Sequence, residues 1–177
     1  MEKKSVIVIV CDHFKREIQN GIVEAIKVEY GCSVLIKDYE IDMSGFYFPA
    51  RRQYDANKLL KTISEIYTQD SPKKIALFKV DLFIPILTYI FGQAILNGDT
   101  GIASLYRLRN EHYGLEKNNS IRNERLRKVI IHEIGHMYGL IHCHNPTCVM
   151  LSSTYVEDID QKSIHLCFKC RNMIGLI

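Results

Sequence analysis

The 177-residue sequence predicts one α/β domain, with a largely parallel sheet covered by helices and an irregular C-terminal tail that needs a separate means of support. Three observations lead there. Short β-branched runs alternate with segments of helical period between residues 5 and 80, the pattern of βαβ units. A single long helix fills residues 122–140. From His142 onward periodicity fades and four cysteines appear.

Each element has its own signal. Ser5 to Val10 is a β-branched run that reads as a strand. The basic start Met1–Lys4 before it resembles the opening of a secretory leader, but the five aliphatics meet Cys11-Asp12-His13 with no small-residue cleavage site. Phe14, Ile18, Ile22, Val23 and Ile26 then recur at helical spacing, and Tyr30-Gly31 stops that helix. Ser33 to Lys37 reads as a second strand. Met43 to Arg52, with Gly45, Pro49 and several aromatics, is expected to be a loop placed to rim a cleft. Asn57 to Tyr67 reads as the second helix and Ile75 to Val80 as the next strand.

The apolar stretch Leu82 to Leu96 is broken by Pro85, Gly92 and Gln93, and at about fifteen residues it falls short of the roughly twenty that a membrane-spanning helix needs. No membrane partner is expected. Asn97 to Gly101 collects turn formers. Ile102 to Arg109 then alternates, with Arg107 and Arg109 on one face, and predicts an exposed edge strand whose surroundings, Gly101 to Arg109, are candidate peptide binders. Glu111 to Ser120 is polar connection, and Arg122 to Leu140 forms the long helix.

Composition narrows the function classes. With 47% hydrophobic and 24% charged residues the chain can bury a core. A formal net charge of +3 is far from the excess that phosphate neutralisation demands, so no nucleic acid is expected. Without a secretory leader the six cysteines are expected to stay reduced in the cytoplasm, where spacing is tested for metal binding before disulfides.

The decisive segment runs from His132 to His142 and satisfies HExxHxxGxxH. Residues four apart share one helical face, so His132 and His136 can aim at one ion. Glu133 falls on an adjoining face, within reach of a water activated by that ion, and is read as the catalytic general base. Gly139 permits a backbone conformation closed to residues with a Cβ, which turns the chain and returns His142 as the third ligand. Three ligands with a fourth position for water is the pattern of a catalytic zinc. In a shuffled chain of this composition the five-position pattern arises with a chance on the order of 3 × 10⁻⁵.

The pairs Cys143/Cys148 and Cys167/Cys170 suit four thiolates around a tetrahedral structural zinc, giving two zinc ions per chain, one catalytic and one structural. Two disulfides, ordinary buried thiols, or replacement of one cysteine by His144 or His165 remain alternatives. Cys11 and Cys32, at strand edges, read as core thiols. The adjacency of His142 and Cys143 ties the two sites by one peptide unit.

The long motif, followed by His142-Cys143, Cys148-Val149-Met150 and Cys167-Phe168-Lys169-Cys170, resembles the archaemetzincins, a metzincin-clan family of zinc metallopeptidases. The resemblance is strong over Ile75 to Cys170. It implies a metzincin-like twisted mixed sheet with an antiparallel edge strand, a long active-site helix, and a division at residue 142 between an N-terminal subdomain (1–142) and a small zinc-stapled C-terminal one (143–177). It also implies that Met150 is the Met-turn, packed beneath the three imidazoles. Some metzincins carry a tyrosine two residues after that methionine; Ser152 stands there, so no catalytic tyrosine is assigned.

The expected activity is hydrolysis of peptide bonds in a peptide or protein substrate. A catalytically latent zinc protein that binds peptides or partners is the alternative, and Glu133, which such a module does not need, argues against it. Specificity, the choice between endo- and aminopeptidase action, and oligomeric state are not legible.

Overall fold

The computed structural model describes residues 5–66 and 72–177; the Met1–Lys4 start and Tyr67, the expected end of the second helix, lie outside the described residues. The main sheet has five strands in the order β2-β1-β5-β8-β7: β1 (Ser5–Val10), β2 (Ser33–Asp38), β5 (Lys73–Phe78), β7 (Gly92–Ala94) and β8 (Thr100–Ser104). All neighbours run parallel except β7, which is antiparallel to β8. A small second sheet joins β3 (Tyr47–Phe48), β4 (Gln53–Asp55) and β6 (Leu82–Phe83).

The period of two along β1 sorts its side chains between two cores. Val6, Val8 and Val10 face the layer of α1 (Arg16–Tyr30) and α3 (Asn119–Met137), whereas Ile7 and Ile9 face α2 (Ala56–Ser64). Every residue of β1 but the first is buried, as expected of a central parallel strand. α1 ends at Gly31, whose left-handed φ of 60° lets its N–H reach Lys27 O. Asn118 caps α3 through Ile121 N.

The alternating run after Gly101 folds differently from its pattern. Only Thr100–Ser104 is strand, all five residues are buried, and it lies inside the sheet between β5 and β7. Tyr106–Leu108 is a 3-10 turn, because Ser104 Oγ accepts from Tyr106 N and the Arg107 guanidinium folds back onto the Asp81 carboxylate. The edge on that side of the sheet is the half-buried Gly92–Ala94 instead.

Two short helices, α4 (Val156–Gln161) and α5 (Phe168–Met173), punctuate the tail. The tail is docked on α1 by Glu29, a carboxylate only 2% exposed that accepts from His165 Nδ1 (2.7 Å), Leu166 N (3.1 Å) and Arg171 (2.8 Å). Among the described residues no helix is long and apolar enough to cross a membrane.

Candidate active site

The second half of α3 lies buried against the sheet from Leu126 to Met137, apart from the partly open Arg127 and His136. Its last turns carry His132, Glu133 and His136. Gly139 has φ +91°, and beyond it the chain doubles back so that the His142 ring lies 5.3 Å from His132 and 5.1 Å from His136 between centroids. One nitrogen from each of the three rings falls within 4.8 Å of the others.

The outer nitrogens decide what the inner ones can do. His132 Nδ1 is 2.8 Å from Val149 O and His136 Nδ1 is 2.7 Å from Leu140 O. A carbonyl oxygen only accepts, so each Nδ1 carries the proton and each Nε2 presents a lone pair. Those two Nε2 atoms stand 3.0 Å apart. Lone pairs facing at that distance repel unless a cation lies between them, and Zn–N bonds of about 2.0–2.1 Å at the tetrahedral angle would separate them by about 3.3 Å. Burial pushes the pKa of all three imidazoles down, which keeps them neutral and able to ligate.

Glu133 is 6% exposed and packs directly under the edge strand: a Cβ on Gly92 would stand 2.8 Å from both Glu133 Oε1 and Ile102 O. Gly92 is therefore fixed by close approach. Burial pushes the Glu133 carboxyl up to about 8, with Lys162 pulling the other way. Lys162 is itself buried, donates to Leu151 O at 2.7 Å, and is pushed down to about 8 by that burial.

A cleft of about 550 Å³ opens over these groups, with β7 along one wall and Ser152 to Tyr155 along the other. Ser104 N donates to Phe91 O and Ile95 N to Thr100 O, so the ladder's alternation turns the N–H and C=O groups of Gly92 and Ala94 away from β8. Both residues line the cleft. Its mouth is bridged where the Tyr89 hydroxyl donates to Thr154 O at 3.2 Å. The Met43 to Arg52 segment does not rim it: Arg51 bonds Leu87 O, Phe48 packs on Phe83, and none of that segment lines the cleft.

Met150 is fully buried, and its thioether presses on Gly135, on the helical turn that joins His132 to His136. Val149 O holds His132, and Met150 O accepts from Cys143 N at 2.9 Å, so one short segment supports both ends of the histidine set.

Behind it Cys143, Cys148, Cys167 and Cys170 bring their sulfurs within 4.8 Å of one another. Cys143 and Cys167 are 3.8 Å apart, as are Cys148 and Cys170. Disulfide sulfurs lie at about 2.0 Å, whereas Zn–S bonds of about 2.3 Å set a tetrahedral edge of about 3.8 Å. The spacing fits four thiolates on one ion. His165 is turned to Glu29 instead, and of the remaining thiols Cys32 is buried and Cys11 half-buried.

Lys162, Gly135, Gly92 and the edge strand itself escaped the sequence reading. Gly135 alone carried a signal, as the small residue between two histidines of one helical face. Lys162 sits in a polar tail with nothing to mark it, and Gly-Gln-Ala has no strand propensity of its own.

Residues 2–175 match the model of peptidase family M54. An archaemetzincin of Haloquadratum walsbyi is 34% identical over 153 residues, 85% of this chain and 87% of that protein. Among solved structures, an archaemetzincin from Methanopyrus kandleri superposes with a TM-score of 0.85 at 27% identity, covering 98% of this chain and 94% of that one. A zinc-dependent peptidase from Methanocorpusculum labreanum gives 0.85 at 26% identity, over 96% and 99%.

Proposed function

Because this chain belongs to peptidase family M54 and is a zinc metallopeptidase of that family, we propose that it hydrolyses peptide bonds with Glu133 as general base and His132, His136 and His142 as the ligands of a catalytic zinc. The observation that carries this reading is the pair of facing Nε2 atoms, with the Glu133 carboxyl under the adjoining edge strand. Zinc bound there supplies Lewis acidity toward water and the scissile carbonyl.

The chain's own groups do the rest. Glu133 takes a proton from the attacking water and delivers it to the leaving amine, and its burial raises its basicity above that of an exposed carboxylate. Gly92 and Ala94 offer main-chain donors and acceptors to an extended substrate beside β7. Val149 O and Leu140 O fix the tautomer and aim of two imidazoles. Lys162 adds positive charge at the back of the cleft.

We further propose a second, structural zinc on Cys143, Cys148, Cys167 and Cys170. It fixes a tail of two six-residue helices that has little core of its own, and through the His142-Cys143 peptide it holds the third histidine.

The test is metal content and cleavage together. Wild type and Glu133→Ala are both expected to hold two zinc ions per chain, and only wild type is expected to cut a mixed-sequence peptide library read by mass spectrometry. Cleavage by Glu133→Ala would refute the base assignment. Two zinc ions with no cutting by wild type would favour the second reading, a latent binder, which the Tyr89–Thr154 bridge across the mouth supports. Cys170→Ala is expected to lose the second zinc and with it affinity for the first; unchanged affinity and activity would refute the structural role.

A further inference from the structure

A second cavity, of about 540 Å³, lies at the far end of α3 from the histidines. Twelve residues at 1.5 Å rise separate Ser120, on its wall, from His132 by about 18 Å. Five cations line it, Lys15, Lys79, Lys117, Arg122 and Arg127, against one carboxylate, Glu17. None of the five belongs to an ion pair among the described residues. Lys79 Nζ rests 5.1 Å from the Phe14 ring centroid, and among the described residues the Arg122 guanidinium bonds only the neighbouring Asn123 Oδ1 and Arg127 Nε is buried without a hydrogen-bond partner.

Two helices add to the positive field. α1 starts at the cavity with Lys15 as its N-cap; its side chain caps no N–H of the first turn, although its carbonyl accepts from Ile18 N and Gln19 N, and its ammonium adds a cation at the positive end of the helix dipole. The first turn of α3 contributes Asn119 and Ser120 to the same wall. In an isolated protein such an arrangement is repulsive, and an anion would relieve it.

The position in the sheet points the same way. Lys15 and Lys79 follow the carboxyl ends of β1 and β5, neighbouring parallel strands from which the chain order runs outward in opposite directions. That is the switch point of an open α/β sheet, where ligands bind. It is remote from the peptidase cleft and independent of how that cleft works.

We propose that this cavity binds a small molecule carrying two or more phosphate groups. A single phosphate would engage a fraction of five cations and two helix ends, and the volume is that of a small-molecule site. Among the described residues no aromatic side chain lines it, so recognition rests on the phosphates and not on a stacked base. The cations form one concavity and no extended track, which disfavours nucleic acid.

The experiment is calorimetric titration of the zinc-loaded protein with orthophosphate, pyrophosphate and tripolyphosphate at fixed salt, followed by amide NMR. Pyrophosphate and tripolyphosphate are expected to bind saturably at one per chain, and more tightly than orthophosphate. Amide shifts are expected at Lys79 and Lys117 to Arg122, with those of His132 to His142 unmoved. Lys79→Gln and Arg127→Gln should each weaken pyrophosphate roughly tenfold or more, as loss of a charge-assisted contact does, with zinc content unchanged. If Arg127→Gln fails to fold, Lys117→Gln takes its place. Absence of saturable binding, affinity indifferent to these variants, shifts confined to the histidine segment, or tighter binding of single-stranded RNA than of tripolyphosphate would each overturn the proposal.

Discussion

Replacing Gly135 by alanine sets two effects of opposite sign against each other. In a helix interior alanine is favoured over glycine by about 1 kcal/mol, so propensity alone predicts a more stable protein. The structure predicts the reverse. A Cβ on Gly135 would overlap the Met150 thioether, with Met150 Cε at 3.1 Å and Leu140 Cδ1 at 3.5 Å closing the ways around it. Met150 and Leu140 are both buried, so neither has free space to retreat into. Overpacking of this kind costs typically 1–3 kcal/mol and the upper part of that range applies here, leaving a net loss of about 1–2 kcal/mol after the propensity gain. For a chain of this size that lowers Tm by roughly 3–6 °C. The larger effect falls on metal. Displacing Met150 moves Val149 O, which holds His132, and Met150 O, which holds the backbone beside His142. Loss of such support weakens zinc binding by about 10- to 100-fold. Chemical denaturation and competition with a chelator measure the two quantities. In the double variant with Met150→Ala the two destabilisations should sum to less than their parts by about 1 kcal/mol or more, since the smaller side chain makes room. A Gly135→Ala protein that is stabilised by about 1 kcal/mol and binds zinc as wild type does would refute the reasoning.

Two further outcomes follow from buried carboxyls. In the metal-free chain Glu133 titrates at about 8 when folded and near 4.5 when unfolded, so its contribution to stability is complete below 4.5 and is lost as pH rises through 8. The loss amounts to at most about 5 kcal/mol, and the histidines, whose folded pKa values are depressed, act with opposite sign only below about 6.5. Denaturant unfolding of metal-free wild type and Glu133→Gln between pH 6.5 and 8 should therefore show a steeper fall for wild type; parallel slopes would show that the carboxyl is not desolvated. Glu29→Ala should cost about 1–3 kcal/mol by leaving Leu166 N without its buried acceptor and the partly open Arg171 without its partner, and should weaken the zinc proposed on the four cysteines, read by thiol reactivity toward a disulfide reagent. Unchanged reactivity would uncouple the Glu29 staple from that site.

The grouping of the candidate metal ligands was more legible in the sequence than the architecture around them. Three histidines, a glutamate and a glycine at fixed spacing describe local geometry, because i and i+4 share a helical face whatever surrounds the helix. The same holds for the paired cysteines. What stayed hidden depends on partners distant in the chain. Gly92–Ala94 is a strand only because Gly101–Ala103 pairs with it, and Ile102 to Arg109 looked like a longer strand because alternation continued past the point where Arg107 turns back to Asp81. Lys162 acquires its place only through docking of the tail.

That docking has an order in time. A ribosome makes Glu29 long before His165, Leu166 and Arg171, more than 130 residues later. Until they arrive α1 carries a carboxylate meant for burial with nothing to bury it against, so the nascent chain keeps that helix face wet. His132 and His136 are synthesised before Val149, whose carbonyl aims one of them. The proposed peptidase centre is thus incomplete until Val149 has been made, and until then the nascent chain is expected to lack the means to cut its neighbours.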